Sequence, residues 1–492
     1  MISVVFSTRN ENIEYKDHIK KTIGLKDFEI IQIINNNQYS LTEAYNKGLN
    51  ESKNDVVAFI HDDLILPKGW GKKMLDHLKN SNYGILGVAG TTDISRSGRW
   101  WDNQNRMVGI VKHSHNGRTF ESKYSKSFGS EIIETILVDG LFFVVHKNRI
   151  TSSFSEDVKG FHFYDIDFTF KNHLSGVKVG VVFDVRIVHK SIGQTNEEWD
   201  KNRVLFTKKY DKNLPHSIKP DIRFENKTIK LKKKPKLGVI IPTKGNVDLL
   251  TNCVNSLWGN DTYDNMIVYI ADTGSSDYEK EQIRELINDN TKLIEYDYYN
   301  FAKINNDVVK NHIDEDTELL LFCNNDIKLL NNGITQMVET YNKNTHLVGT
   351  IGARLHFEDN TIQHAGMVSW VDSNRQVQIS HQGLRSYYNY KNFDEVIGNT
   401  AAFLMINKSL FNNIGGFNEN YIECFEDVEL NLECINKNKK NYFVGDAVCY
   451  HYESVSRGRT KEALERLQQD YKNNLLPFII KNKKVHKYIK NV

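Results

Sequence analysis

An apolar run that ends in a short polar, acidic cluster occurs twice in this chain, and the landmarks that follow it keep the same spacing both times. Val56-Val57-Ala58-Phe59-Ile60 leads into His61-Asp62-Asp63, and Leu319-Leu320-Leu321-Phe322-Cys323 leads into Asn324-Asn325-Asp326. An aromatic-acidic segment comes next, Phe163-Tyr164-Asp165-Ile166-Asp167-Phe168 in one half and Phe425-Glu426-Asp427-Val428-Glu429-Leu430 in the other. Asp165 lies 102 residues beyond Asp63 and Asp427 lies 101 beyond Asp326, while His189 and His451 each follow 24 residues later. An aspartate, Asp184 or Asp446, stands five residues before each histidine. Three polar landmarks in register across two diverged halves predict two domains of one fold, with two similar sites.

A length of 492 residues suits two to three domains, each with its own core. The balance of 39% hydrophobic and 26% charged residues is that of a soluble globular chain, and a formal net charge of +2 gives no reason to expect nucleic-acid binding. The five cysteines (Cys253, Cys323, Cys424, Cys434 and Cys449) all fall in the second half without C-x-x-C spacing, so neither a disulfide framework nor a zinc site is expected. A reducing, cytoplasmic location follows as the default. The apolar opening Met1-Ile2-Ser3-Val4-Val5-Phe6-Ser7 lacks a basic leader and reads as a first buried strand rather than a signal peptide or membrane span.

Residues 211–236 separate the halves: they hold Pro215, Pro220 and Pro235, little apolar periodicity, and the basic run Lys230, Lys232, Lys233, Lys234 and Lys236. A solvated linker is the expectation, contact with an anionic membrane surface the sharper alternative. Val239-Ile240-Ile241, Ile267-Val268-Tyr269-Ile270-Ala271 and Leu319-Leu320-Leu321-Phe322 are apolar throughout, as strands covered on both faces are. Helix candidates over 247–257 and 278–287 lie between them, which predicts a mostly parallel, doubly wound sheet. Ligands bind beyond the carboxyl ends of such strands, where Asp272, Asn324 and Asp326 fall.

From 237 to 458 the chain resembles the family 2 glycosyltransferases of the GT-A fold. The resemblance is carried by Val239-Ile240-Ile241-Pro242-Thr243, Ala271-Asp272-Thr273-Gly274-Ser275-Ser276-Asp277, Asn324-Asn325-Asp326, Ile362-Gln363-His364-Ala365-Gly366, Gly415-Gly416-Phe417-Asn418, Glu426-Asp427 and His451-Tyr452-Glu453-Ser454-Val455-Ser456-Arg457-Gly458. The last stretch is similar to bacterial enzymes that build O-antigen, capsule and related polysaccharides. Residues 1–210 resemble a more divergent branch through Ser7-Thr8-Arg9-Asn10, Ala44-Tyr45-Asn46-Lys47-Gly48, His61-Asp62-Asp63 and Phe161-His162-Phe163-Tyr164-Asp165-Ile166-Asp167. The resemblance implies an α/β chain of two tandem GT-A domains with mostly parallel central sheets, 1–210 and 237–458, joined by the basic linker 211–236 and followed by a helical basic tail, 459–492.

It also implies an inverting, metal-assisted transfer of sugars from nucleotide-diphospho-sugar donors to a glycan or lipid-linked glycan, on the cytoplasmic side of a membrane. Departure of a nucleoside diphosphate leaves negative charge that Mn2+ or Mg2+ on hard oxygen ligands neutralises. Asp63 and Asp326 are the expected ligands, with His189 and His451 completing each shell. The usual Asp-x-Asp has His61 or Asn324 in its first place, which removes one anionic ligand. Asp165 and Asp427, each at the start of an amphipathic pattern, are the expected general bases, with Asp167 and Glu426 as their nearest rivals. Asp272 is expected on the nucleotide base, with Asn35 as its positional counterpart, and Asn324, Asn325 and Asp62 complete the donor-binding set.

Trp100-Trp101 and Tyr387-Tyr388 suit either sugar stacking or ordinary packing. The tail carries a helix candidate, 462–475, then Pro477 and the lysines Lys481, Lys483, Lys484, Lys487 and Lys490. It suits either packing on its own domain or peripheral contact with an anionic membrane. A single-activity transferase with a first domain that only binds the acceptor is one alternative to two activities. A sugar nucleotidyltransferase is the other, weakened because Pro242-Thr243-Lys244-Gly245-Asn246 has one glycine where a phosphate loop needs several.

Overall fold

A computed structural model describes residues 1–115, 118–124, 131–193, 195–372, 377–382, 389–452, 461–482 and 484. The chain divides between Asp221 and Ile222 into two compact units. In the first, the central sheet runs Ile132–Thr135, Val179–Val182, Ile85–Gly87, Phe142–His146, Val56–Ile60, Ile2–Thr8, Glu29–Ile34. In the second it runs Thr291–Glu295, Met266–Asp272, Leu237–Thr243, Leu319–Cys323, Phe403–Asn407, Val348–His356, Lys440–His451, Ile327–Leu329. Both sheets are mixed in the same way. Ile2–Thr8 pairs in parallel with both neighbours, as Leu237–Thr243 does, and one antiparallel strand, Phe142–His146 or Phe403–Asn407, lies beside the strand that ends in the acidic cluster.

The apolar runs are strands because both of their faces are covered. Val56–Ile60 and Leu319–Cys323 are buried along their whole lengths. Successive side chains go to opposite layers: Ala58 and Ile60 join Val4 and Phe6 in one core, Val57 and Phe59 join Val5 in the other. Leu319 and Leu321 separate from Leu320 and Phe322 in the same way. The helices observed are Val247–Asn260 and Asp277–Arg284, the first longer and the second shorter than the sequence pattern suggests.

Two segments differ from expectation. Residues 211–236 are not free chain: His216–Ser217 pairs with Asp93–Ile94 in the first unit, and 222–236 belongs to the second. There the Asn331 side chain donates to Glu225 O, that of Asn332 to Lys227 O, and Arg354 Nη2 to Arg223 O, giving each of three buried side chains a partner. The polar composition that reads as linker is what backbone-to-side-chain docking needs. A second unit begun at Ile222 is therefore expected to melt at least about 6 °C above one begun at Lys234, since each buried polar group left unpaired costs about 1–3 kcal/mol. Equal melting temperatures in a thermal scan would show that these bonds contribute nothing.

The tail is the second. Its helix Lys461–Asp470 widens over Tyr471–Leu475 and continues as Leu476–Lys481, and Pro477, which has no N–H to give, stands just after the widened turn. Leu475 and Ile479 pack on Val428, Leu432 and Ile435 of the acidic helix. In the first unit, Trp199 and Phe206 of Glu197–Lys209 pack on Phe163, Ile166 and Phe170 in the same manner. The described tail thus completes the second unit; Lys483, Lys487 and Lys490 lie outside the described residues. No helix among the described residues is long and apolar enough to cross a membrane.

Candidate active site

The register of one short strand builds each site. Beyond Asp63 the chain forms Leu64–Ile65, which runs antiparallel to Val188–His189 with Leu64 opposite His189. Beyond Asp326 it forms Ile327–Leu329, antiparallel to Lys440–His451 with Ile327 opposite His451. Lys190 N donates to Asp63 O and Tyr452 N to Asp326 O, each at 3.1 Å. A fixed pairing one residue after the aspartate thus brings together side chains 126 and 125 residues apart: His189 Nε2 lies 3.3 Å from Asp63 Oδ1, and His451 Nε2 lies 3.2 Å from Asp326 Oδ1.

Neither Oδ1 accepts a hydrogen bond of normal geometry although both are buried, as suits an oxygen meant for a cation. In the first unit His61, Asp63 and His189 offer three ligand atoms within 4.8 Å of one another. Burial pushes the Asp63 carboxyl up, but His189, Ser191 and His61 outweigh it and hold it at about 2. Burial and the neighbouring His189 keep His61 below the usual imidazole range, hence neutral, as a ligand must be. The Tyr164 hydroxyl lies 2.8 Å from His61 Nε2. In the second unit Asn324 Nδ2 is 3.1 Å from His451 Nε2, and Gln363 Oε1 takes His451 Nδ1 at 2.6 Å, leaving Nε2 toward Asp326.

Asp165 and Asp427 open the helices Tyr164–Leu174 and Glu426–Asn436. Each helix is entered through a phenylalanine in the left-handed region, Phe163 at φ 65° and Phe425 at φ 83°. A β-carbon disfavours this conformation by about 1–3 kcal/mol, and its recurrence at equivalent positions marks a site where the backbone is held for a purpose. The Asp165 carboxylate accepts from Gly140 N at 2.6 Å and that of Asp427 from Ala401 N at 2.9 Å, both on the loop before the antiparallel strand. That loop also holds the acidic cluster, through His61 N to Leu141 O and Asn324 N to Ala402 O. Burial and nearby Asp139 push the Asp165 carboxyl up to about 7.

The rival carboxylate Asp167 is committed to Lys209 and the Tyr210 hydroxyl. Glu429, its counterpart, is held by Asn418 and the Tyr421 hydroxyl. Asp184 bonds His77, and Asp446 bonds Lys227; these landmarks pin the strand that delivers each histidine.

The donor-binding candidates of the sequence reading are less alike in the two units than the aspartate-histidine pairs. Thr8 pairs with Ile34 and Thr243 with Asp272, so the register counterpart of Asp272 is Ile34, and Asn35 aligns with Thr273. Asn35 is buried and closes its own loop by bonds to and from the Tyr39 backbone. Asp272, fully buried, accepts from Ser275 N and Oγ, with Lys280 Nζ at 4.0 Å. Asn325 donates to Thr243 Oγ1 at 2.9 Å, tying the acidic cluster to the end of Leu237–Thr243, and Asp62 is half-buried beside Asp63. Trp100 is a packing residue against Trp101 and Tyr124; Tyr387-Tyr388 and Glu453 to Gly458 fall outside the described residues.

Sequence reasoning passed over His61 as a candidate ligand, Tyr164 and Gln363 as the groups that hold His61 and His451, and the two left-handed phenylalanines. His61 and Gln363 stand inside conspicuous motifs; the φ angles left no trace in residue type.

Residues 4–210 match the family described as Glycosyltransferase like family, and residues 238–415 match Glycosyl transferase family 2. The chain is 26% identical over 250 residues to the uncharacterized protein y4gI of Sinorhizobium fredii, covering 48% of this chain and 27% of that protein. It is 26% identical over 230 residues to the O-antigen biosynthesis protein RfbC of Myxococcus xanthus, covering 45% and 18%. The chain therefore spans roughly a quarter or less of the length of these relatives. Among solved structures it is similar to GalNAc-T7 with UDP, GalNAc and Mn2+ (TM-score 0.40, 14% identity, 53% of this chain and 55% of that one). It is also similar to the mannosyltransferase PcManGT of Pyrobaculum calidifontis with GDP-Man and Mn2+ (TM-score 0.36, 13% identity, 52% and 69%). The repeated sheet, the repeated acidic cluster and the two family matches converge: the chain carries two tandem domains of the glycosyltransferase family 2 type, one in each unit.

Proposed function

We propose that both units are catalytic, each adding a sugar from a nucleotide-diphospho-sugar to a growing bacterial surface glycan with inversion at the anomeric carbon. The observation that supports two activities over one is that two polar parts of the site recur in register: a strand-end aspartate against a histidine, and a helix-start carboxylate held by one backbone N–H. A binding module needs no such carboxylate.

Asp63, His189 and His61 would hold a divalent cation in the first unit, and Asp326 and His451, beside Asn324, in the second. Bound there, the cation supplies positive charge to the diphosphate as it departs. The chain's own work is on the acceptor side. Asp165 and Asp427 take the proton from the attacking hydroxyl, each keeping one oxygen on a backbone N–H so that its lone pairs stay aimed. Because departure of the diphosphate needs no protein acid, one carboxylate per site suffices. Asn325, Asp62 and Asp272 would serve the donor, while Asn35 closes its own loop at the equivalent sheet end. The decisive test replaces one base at a time in the full chain.

The two bases differ in setting, and pH separates them. Asp165 must lose its proton to act, and its carboxyl sits at about 7. In an Asp427→Asn background, kcat/KM for the remaining transfer, followed by nucleoside diphosphate release, is expected to fall about tenfold per pH unit below 7 and to level off above it. A profile flat from pH 5 to 8 would remove Asp165 from that role.

A further inference from the structure

The two ligand sets differ in chemistry although they share one geometry. The first unit gathers two imidazoles and a carboxylate, His61, His189 and Asp63, within 4.8 Å. The second has an amide where the first has His61, so Asp326 and His451 are joined by Asn324, whose only donor to a cation is an amide oxygen. The backbone around that position is shared: the backbone N–H of His61 and of Asn324 bonds the equivalent loop of its own unit, and the register of aspartate on histidine is the same.

The ring nitrogens of the first unit are also set up as ligands. The Nε2 of His61 is held by the Tyr164 hydroxyl at 2.8 Å, while Asp63 Oδ1, 3.3 Å from His189 Nε2, is buried without a hydrogen bond of normal geometry. Imidazole nitrogen suits borderline cations such as Zn2+, Co2+ and Ni2+. Carboxylate, amide and water oxygens suit Mg2+ and Mn2+. His61 sits on a rigid strand end, so the two-nitrogen set is built in rather than assembled by a mobile loop.

We propose that the two domains of this one chain take different cations: the first selects a borderline, nitrogen-loving divalent ion through His61 and His189, and the second a hard, oxygen-loving one through Asp326 and Asn324. This rests on the metal-assisted reading above and deepens it. It implies that Mg2+ alone does not fill both sites at low concentration, and that the preference for Zn2+ over Mg2+ is greater at the first site than at the second.

The test uses the full chain, stripped of metal, with binding as the readout. Co2+ serves as a spectroscopic probe through its visible absorption, and calorimetry gives affinities for Zn2+, Mn2+ and Mg2+. The expected result is a Co2+ absorption that saturates at one ion per chain, vanishes in His189→Ala, and survives in Asp326→Ala. His61→Asn, which gives the first site the second site's composition, is expected to weaken Co2+ and Zn2+ by at least about tenfold, the scale on which even an outer-shell partner of a ligand acts. Should His61→Asn or His189→Ala impair folding, seen in the melting curve, the reciprocal Asn324→His carries the test by adding a second Co2+ absorption. Equal Zn2+ to Mg2+ preference at both sites, or a Co2+ spectrum unchanged in His61→Asn, overturns the proposal while leaving metal assistance in place. Absence of any divalent binding overturns both.

Discussion

Asp427→Asn in the full chain is expected to abolish one sugar addition, lowering its rate by about 10²–10⁴-fold, while donor binding stays within a factor of a few. The amide keeps the shape of the carboxylate but its nitrogen cannot take a proton, and its oxygen can still accept from Ala401 N, so the helix start stays in place. Asp165→Asn is expected to remove the other addition by the same amount, with Gly140 N still bound. Mixing the two variants should restore the two-sugar product wherever the intermediate leaves one protein molecule for another. If Asp165→Asn changes no product while Asp427→Asn removes them all, the first domain binds the acceptor without acting on it, and the chain has one activity. Inversion is read in the same products, from the anomeric configuration against that of the donor.

Removal of divalent cations carries the second large effect. Both transfers are expected to cease in excess chelator and to return on addition of metal, because the charge on the departing diphosphate is worth several kcal/mol of barrier without a counter-ion. Asp63→Ala should silence the first transfer and Asp326→Ala the second, since each removes the one anionic ligand that the strand pairing sets against a histidine. Full activity in chelator would mean that the protein's own cations stabilise the leaving group, and the aspartate-histidine pairs would then be structural.

Much of this site could be read from residue order because its spacing is set by register. The pairing that puts Leu64 opposite His189 and Ile327 opposite His451 is rigid, so the distance from aspartate to histidine is almost unchanged between halves and shows in the sequence as a recurring interval. The alternating cores made the apolar runs legible as strands for a similar reason. Asn35 was misplaced by one residue because Ile34 and Asn35 both follow an apolar run, and only hydrogen-bond register tells which of them faces Asp272's position. His61 read as the loss of an acid because composition records charge, whereas a ligand set depends on which donor atoms meet. Residues 222–236 and the tail looked like separate pieces because docking through backbone carbonyls onto Asn331, Asn332 and Arg354, or through two residues, Leu475 and Ile479, leaves only a faint apolar pattern.

The strand pairing that closes each site also fixes when it can exist. Asp63 leaves the ribosome 126 residues before His189, and Asp326 leaves 125 before His451, so each aspartate waits for almost the whole of its unit before it meets its partner. A contact of such long sequence separation forms late in folding. An early chain end therefore presents carboxylates but no pocket for an ion. On the metal-assisted reading, capture of an ion would report that a half has been completed, and the first half could report this while the second is still being made.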